Sequence, residues 1–264
     1  MKRLLLVFAF FFSFASVALA ASDQAYQDYI FQFDRYRETY ADFRIAKNEY
    51  EKYGTLTSQT TALEKTRTMM TQRDSLLRSY LLLLDENLNE DTGLGTTERN
   101  LYQTILRNEI TFLESHSNLV AAIGSLKDAD TVSKQLETRN VTFQASIRQI
   151  LIAIELGRLT DLQRQYDGVV EQVRSYITDH RGLLSNQMQA TIDRWLLQVT
   201  NKETLFQQKT DSIRRSNEQL KSRTVVDLNQ KFQSMRQTVR EAHQDLIDGA
   251  SNLTEVVRIL ALSE

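Results

Sequence analysis

The chain contains no proline and only eight glycines in 264 residues. Proline breaks a helix because it removes a backbone donor and clashes with the preceding turn, and glycine weakens a helix through its backbone entropy. No stretch alternates apolar and polar residues between turn signals, as a half-buried strand would. With so few breakers and no strand pattern, the chain is expected to form long helices.

Apolar side chains recur at alternating steps of three and four residues through most of the chain. The first segment is almost wholly aromatic at these steps, at Tyr26, Tyr29, Phe33, Tyr36, Tyr40, Phe43, Lys47 and Tyr50. A later segment carries aliphatic and aromatic residues at Met188, Ile192, Trp195, Val199, Phe206, Ile213 and Leu220. This heptad spacing places one stripe along each helix, and the stripe packs against a neighbouring helix.

Glycines divide the periodic segments. Turns are predicted at Gly54, Gly93–Gly95, Gly124 and Gly182, and a possible sub-boundary lies near residues 125–130. Short turns make neighbouring helices antiparallel. The sequence therefore predicts an all-α fold, an elongated antiparallel bundle of coiled-coil hairpins with about five to six long helices.

Two helix starts and three possible interruptions complete this prediction. The capping-box pattern Thr61-x-x-Glu64 and the serine Ser185 are typical of helix N-termini. The apolar stripe shifts by one residue near Gly157 and near Ser222, and it continues on both sides of Gly249. The pattern leaves open whether the helices are interrupted at these three positions.

Residues 1–20, MKRLLLVFAFFFSFASVALA, have the form of a secretory signal peptide. Lys2 and Arg3 precede a long apolar run, and Ala18 and Ala20 have the spacing of a cleavage site. The alternative is an uncleaved membrane anchor, which would be the chain's one contact with a membrane. The mature protein, residues 21–264, is therefore expected in the periplasm, the cell envelope or the extracellular space. The chain has no cysteine, so no disulfide framework is expected there.

Residues 87–98, NLNEDTGLGTTE, lie between two periodic segments and allow two interpretations. A calcium loop would bind the cation through the side-chain oxygens of Asn87, Asn89, Asp91 and Glu98. However, the first glycine comes one position too late, and only two of the four ligands are charged. A turn built from asparagine, aspartate and glycine is the favoured interpretation, and the calcium loop is the weaker alternative.

No catalytic motif is found, so the protein is expected not to be an enzyme. The chain has no cysteine nucleophile, no G-x-S-x-G or S-x-x-K sequence and no H-E-x-x-H helix. Glu109 and His116 are one heptad apart on the predicted stripe and could form a buried proton or metal site. The favoured interpretation is that both lie at the edge of the stripe and reach water. We expect no cofactor, no metal and, because neither charge sign forms a block, no nucleic-acid partner.

The aromatic stripe of the first segment also has two interpretations. It could bind a partner through Tyr26, Tyr29, Phe33, Tyr36, Tyr40, Phe43 and Tyr50, or these side chains could pack inside the bundle, which is the favoured interpretation. Together these observations predict an exported, non-enzymatic binding or scaffold protein that has a protein partner or self-associates. Two alternatives remain, a periplasmic holdase-type chaperone and a ligand-sensing helical bundle.

Overall fold

A computed structural model of the chain describes residues 19–222 and 224–261, with side chains described from residue 21 onward. Six long helices fill most of this part of the chain. They are α1 (Leu19–Tyr53), α2 (Leu56–Glu90), α3 (Thr96–Ala121), α4 (Leu126–Asp179), α5 (Asn186–Glu218) and α6 (Val225–Ala261). The described residues contain no strand, which confirms the predicted all-α helical bundle.

The helices form two compact units. The first unit comprises residues up to Glu90 together with Thr97–Ile147, and the second comprises Asp91–Thr96 and the chain from Arg148 onward. The division at Ile147 lies inside α4, whereas the sub-boundary suggested near residues 125–130 coincides with the start of that helix.

The predicted signal peptide lies mainly outside the described residues, and only Leu19 and Ala20 belong to α1. None of the helices in residues 19–222 and 224–261 combines the length and the hydropathy that crossing a membrane requires.

The turns follow from local backbone chemistry. Gly54 has a positive φ of 60° and donates its backbone N–H to the carbonyl of Tyr50 at 2.9 Å, so it ends α1 in the left-handed conformation that glycine permits. Ser185 caps α5 by accepting the backbone N–H of Met188 at 3.3 Å, as predicted. The predicted helix start at Thr61 is wrong, because α2 begins at Leu56 and Thr55 caps it by accepting the N–H of Ser58.

In the first unit, α1 packs along α2 as an antiparallel hairpin. The buried cluster beneath this hairpin combines residues of α2, α3 and α4 with the inward side chains of α1. Its buried members are Met69, Met70, Val120, Ile123, Ala129 and Val132, and Tyr36, Phe43 and Leu63 pack against them.

In the second unit, α5 and α6 form an antiparallel hairpin against the later part of α4. One apolar cluster holds the middle of the three helices together, and it contains Leu159, Tyr166, Val170, Val199, Phe206, Ala242, Leu246 and Leu253. A second cluster near the turn between α4 and α5 contains Leu184, Ile192, Val256 and Leu260.

Helix α4 is continuous through Gly157, and α6 is continuous through Gly249. Around Ser222, in contrast, the helix is interrupted, because α5 ends at Glu218 and α6 begins at Val225. Gly157 is needed for a close approach within the second unit. A Cβ atom on Gly93 would overlap the carbonyl oxygen of Gly157, and a Cβ atom on Gly157 would overlap the carboxylate of Asp91. The loop 91–96 can therefore contact α4 only because both positions lack a side chain.

We predict that Gly157→Ala lowers the free energy of unfolding by about 1–3 kcal/mol, because the added methyl group forces the loop away from α4. The matched control is Gly168→Ala in the same helix, where no atom lies within 4 Å of the added Cβ atom. That control should raise stability by about 0.5–1 kcal/mol through helix propensity alone. Urea unfolding of both variants measures the difference, and equal changes would contradict the close approach.

Candidate functional site

The residues of the predicted stripe on α1 form two rows, each with seven-residue spacing. The inner row is partly buried and contains Tyr29, Tyr36, Phe43 and Tyr50. The outer row is exposed and contains Tyr26, Phe33, Tyr40 and Lys47. Successive residues of an α-helix are turned by about 100°, so a step of four residues from one row to the other turns the side chain by about 40°. The two rows therefore lie side by side along the helix.

The inner row packs against α2 and the buried cluster of the first unit. The ring of Tyr29 lies 5.4 Å from the ring of Tyr80, measured between centroids. Tyr36 and Phe43 pack on the buried cluster of the first unit. Burial raises the pKa of the Tyr36 hydroxyl, and the nearby positive charge of Arg73 opposes that increase. These residues therefore contribute to the packing of the bundle.

The outer row leaves aromatic surface in contact with solvent. Tyr26 is 49% exposed, Phe33 39% and Tyr40 42%. On other helices of the molecule, side chains with the same seven-residue spacing are buried. The guanidinium of Arg37 lies 6.0 Å from the ring centroid of Phe33, and Arg37 pairs with Asp34 at 4.0 Å. The outer row is thus an aromatic strip with both charge signs beside it.

A cavity of about 440 Å³ opens near the end of both rows, within the first unit. Phe43 and Tyr50 of the inner row and Lys47 of the outer row contribute to its wall. The opposite wall comes from α2 and from the first turns of α4, including Met70 and Leu126. The aromatic surface of α1 therefore continues into a concave region.

The loop that was the calcium candidate is organised by Asp91. This side chain is buried, and its Oδ1 atom accepts the backbone N–H groups of Gly93 at 2.9 Å and Leu94 at 3.0 Å. Burial raises the pKa of its carboxyl group, while the two backbone hydrogen bonds oppose the increase. This arrangement is typical of an aspartate that stabilises a turn.

The other three candidate ligands are part of helices. Asn87 and Asn89 lie in the last turn of α2, where Asn87 donates to the carbonyl of Leu83 at 2.7 Å and Asn89 accepts from Gln103 at 2.7 Å. Glu98 lies in the first turn of α3. Within residues 19–222 and 224–261, no group of three or more His, Asp or Glu side chains is arranged to hold a metal ion. The calcium loop stays a hypothesis, and the side-chain amides of Asn87 and Asn89 both make protein hydrogen bonds.

The interpretation of Glu109 and His116 as edge residues that reach water is wrong, because both are buried in the first unit. They also do not pair with each other. Nδ1 of His116 lies 2.6 Å from Oδ2 of Asp74, and its Nε2 lies 3.1 Å from the carbonyl oxygen of Val132. The two ring nitrogens of His116 therefore connect α3 to both α2 and α4.

Glu109 forms a second buried polar contact between α3 and α4. Arg139 donates to its two carboxylate oxygens through Nε at 3.0 Å and Nη2 at 3.2 Å, and Ser146 donates to it at 3.0 Å. The guanidinium of Arg139 also lies 4.6 Å from the ring centroid of Phe112. The heptad positions of Glu109 and His116 signalled that they face the core, but their partners on other helices carry no local signal in the sequence.

The second unit has an apolar groove of about 480 Å³ between α4 and α6. Its walls are mainly aliphatic, and they include Leu162, Val169, Leu246, Ile247, Ala250 and Val257. The ring of Tyr166 also lines the groove, and its hydroxyl group lies against Gly249, where a Cβ atom would collide with it. Burial, followed by the charges of Glu203 and Asp167, raises the pKa of Tyr166 to about 12.

Charged side chains also connect α5 to α6 in the second unit. Lys202 donates to Asp245 at 3.1 Å and to Asp248 at 2.7 Å, and Lys209 donates to Asp245 at 2.5 Å. Asp245 is buried, and the ammonium groups of the two lysines balance its negative charge. Burial raises the pKa of Glu203 on α5, while Arg174 at 3.8 Å opposes the increase.

Comparisons with models of known protein families, with curated proteins and with solved structures found no match for this chain. Function is therefore inferred from the surfaces and contacts of the described residues. The outer row of α1 and the groove between α4 and α6 are two surfaces on which several exposed aromatic or aliphatic side chains lie close together.

We predict that Asp74→Ala lowers the free energy of unfolding by about 3–5 kcal/mol, because it leaves the buried His116 without its carboxylate partner. Arg78→Ala is the control from the same helix. Arg78 pairs with Glu114 at 3.3 Å, but both side chains are about half exposed, so its loss should cost no more than about 1 kcal/mol. Urea unfolding measures both values, and a loss below about 1 kcal/mol for Asp74→Ala would show that the buried pair contributes little.

A second prediction concerns the pH dependence of stability. The raised pKa of Glu203 means that the folded protein binds this proton more tightly than the unfolded chain does. The stability that the group contributes is present below its unfolded pKa and is lost as the pH rises through the folded pKa. Glu203→Gln should therefore be more stable than the natural protein at about pH 7, and the difference should vanish near about pH 4.

Asp248→Asn is a control of opposite sign for the same experiment. Hydrogen bonds from Lys202 and Gln244 lower the pKa of Asp248, so its contribution is present above the unfolded pKa and is lost as the pH falls through the folded pKa. This variant should be less stable than the natural protein at about pH 7. Unfolding curves for both variants at several pH values test the two signs, and parallel shifts in one direction would contradict them.

Proposed function

We propose that this protein is an exported, non-enzymatic helical scaffold that binds a protein partner through the outer row of α1. The observation that carries the proposal is the exposure of Tyr26, Phe33 and Tyr40 along one line of the helix. A helix that leaves a row of rings in water is stabilised further when another protein surface covers that row.

The chemistry of the outer row suits a protein partner. Tyrosine and phenylalanine offer a large apolar area with few rotatable bonds, and such residues are enriched in the centres of protein interfaces. Arg37 and Asp34 lie beside the rings and could provide the polar rim of an interface. The adjoining cavity between α1, α2 and α4 extends the surface that a partner could contact.

Several ionisable groups that could support catalysis have structural partners instead. Asp74 and His116 contact each other, Glu109 is held by Arg139, and Asp245 is paired with two lysines. Each of these groups is deeply buried and connects two helices. Their contacts support the proposal that the protein acts by binding and not by catalysis.

Export is proposed from the residues of the leader. Lys2 and Arg3 precede a long apolar run, and small residues at Ala18 and Ala20 suit a signal peptidase. The proposal implies that the mature chain begins at Ala21, two residues after the first residue of α1.

A second candidate function is supported by the groove of the second unit. Its aliphatic walls between α4 and α6 could hold an apolar segment of an unfolded client, as in a holdase-type chaperone, or a small apolar ligand, as in a sensor. Val169, Ile247 and Val257 are each about half exposed there. We rank this candidate second because the groove's walls are mainly aliphatic and its tyrosine, Tyr166, is buried, whereas the outer row has three exposed rings with the Arg37–Asp34 pair beside them.

We predict that a photo-reactive benzoylphenylalanine placed at Phe33 cross-links the protein to its partner in the cells that produce it. The matched control places the same residue at Phe31, which is 61% exposed but about 160° away around the helix. Cross-linking at Phe33 but not at Phe31 is expected, and Tyr26→Ser combined with Tyr40→Ser should reduce its yield. Mass spectrometry identifies the cross-linked species, and a chain that forms none at Phe33 refutes binding through the outer row.

A further inference from the structure

The outer row has a particular order of residue types along α1. Two rings, Phe33 and Tyr40, lie at its centre, with Tyr26 at one end and Lys47 at the other. Asp34 and Arg37 lie beside the centre and are largely exposed. From Tyr26 to Lys47 the row is about 32 Å long, at 1.5 Å per residue.

We propose that the outer row is covered by the outer row of a second copy of this chain, with the two α1 helices antiparallel. The two-fold axis passes between Tyr36 and Arg37, which is the midpoint of the row. This proposal rests on the proposed function, because it names the occupant of the same surface. A two-fold interface of this kind uses the same patch twice, so every contact occurs in duplicate.

Charge complementarity supports the antiparallel arrangement. About this axis, Phe33 of one copy faces Tyr40 of the other, and Tyr26 faces Lys47. A lysine ammonium is attracted to the face of a tyrosine ring, and its aliphatic chain packs against the ring. Asp34 and Arg37 of the two copies come within about two residues, or about 3 Å, of each other along the axis, so opposite charges meet twice. The two Arg37 side chains also come within about one residue of each other beside the two-fold axis, where each is paired with Asp34 of its own copy.

The other arrangement of two copies brings more like charges together. In a parallel pair, Lys47 faces Lys47, Arg37 faces Arg37 and Asp34 faces Asp34 across the interface. Like charges that face each other destabilise a helix pair and select against that orientation. The order of residues in the outer row therefore favours one orientation.

Local contacts already hold the outer row in a suitable conformation. Tyr40 contacts Tyr36 and Phe43 of the inner row, with ring centroids 5.8 Å and 6.1 Å apart. The Phe33 ring lies 6.4 Å from Tyr29, and Arg37 lies over its face. Rings supported in this way lose little side-chain entropy when a second copy covers them.

The first test measures the mass of the purified protein over a range of concentrations. Analytical ultracentrifugation should show a reversible species with twice the mass of one chain. Phe33→Ser should raise the dissociation constant by about tenfold or more, because each dimer loses two central rings. Phe31→Ser is the matched control and should leave the dissociation constant unchanged. A chain that stays monomeric at about 100 µM overturns the proposal, because a specific dimer with a dissociation constant of about 1 µM would be largely formed at that concentration.

The second test determines the orientation and uses the absence of cysteine in the chain. A mixture of the single variants Tyr26→Cys and Lys47→Cys should form a disulfide-linked dimer under mild oxidation. Neither variant alone should do so, because the antiparallel copies of each position lie about 32 Å apart and a disulfide needs Cα atoms within about 7 Å. The control mixture is Phe31→Cys with Ile45→Cys, two exposed positions on another face of α1.

Each outcome decides a separate point. Cross-linking of Tyr26→Cys with itself would indicate a parallel pair and overturn the proposed arrangement, and cross-linking in the control mixture would place the second copy on the wrong face. If the Phe33 photo-probe joins the chain to a different protein while the purified chain stays monomeric, the second copy is refuted but the proposed function stands. If the photo-probe joins the chain to nothing, the proposed function itself fails.

Discussion

Each long helix of this protein must bury an apolar line along its whole length, because helix propensity alone does not hold an isolated helix in water. Helix α5 shows how closely the chain meets this requirement. Its residues at seven-residue intervals are at most 1% exposed, and they are Ile192, Val199, Phe206 and Ile213. Each such side chain contributes about 1.5–3 kcal/mol when it is fully removed from water. The hairpins of both units depend on buried apolar lines of this kind.

The outer row of α1 departs from that requirement. It has the seven-residue spacing of a buried line, yet Tyr26, Phe33 and Tyr40 are each at least 39% exposed. The inner row beside it already supplies the contact with α2, so packing within the first unit does not need the outer rings. Aromatic surface that the fold itself does not use is the reason to assign α1 a role in binding.

Buried polar groups add specificity to the apolar contacts. A heptad line can slide by one repeat without losing much apolar contact, but a buried polar pair is satisfied in one register alone. Asp74 with His116, and Glu109 with Arg139, connect helices of the first unit in this way. In the second unit Asn217 and Gln149 exchange hydrogen bonds with each other's backbone carbonyls at 2.9 Å and 2.8 Å. We infer that these contacts set the helix register more than they add to stability, because desolvation offsets much of their energy.

The sequence by itself determined the helices, the turn at Gly54, the cap at Ser185 and the seven-residue lines. These features depend on residues within one or two turns of each other, so their signals are local in the chain. Tertiary structure alone decided which of the two rows on α1 is covered, since a step of about 40° separates them and both have the same spacing. It also decided that Asp74 reaches His116 and that Gly93 approaches Gly157. Those contacts join positions 42 and 64 residues apart, and they depend on how the helices are aligned, which no local pattern encodes.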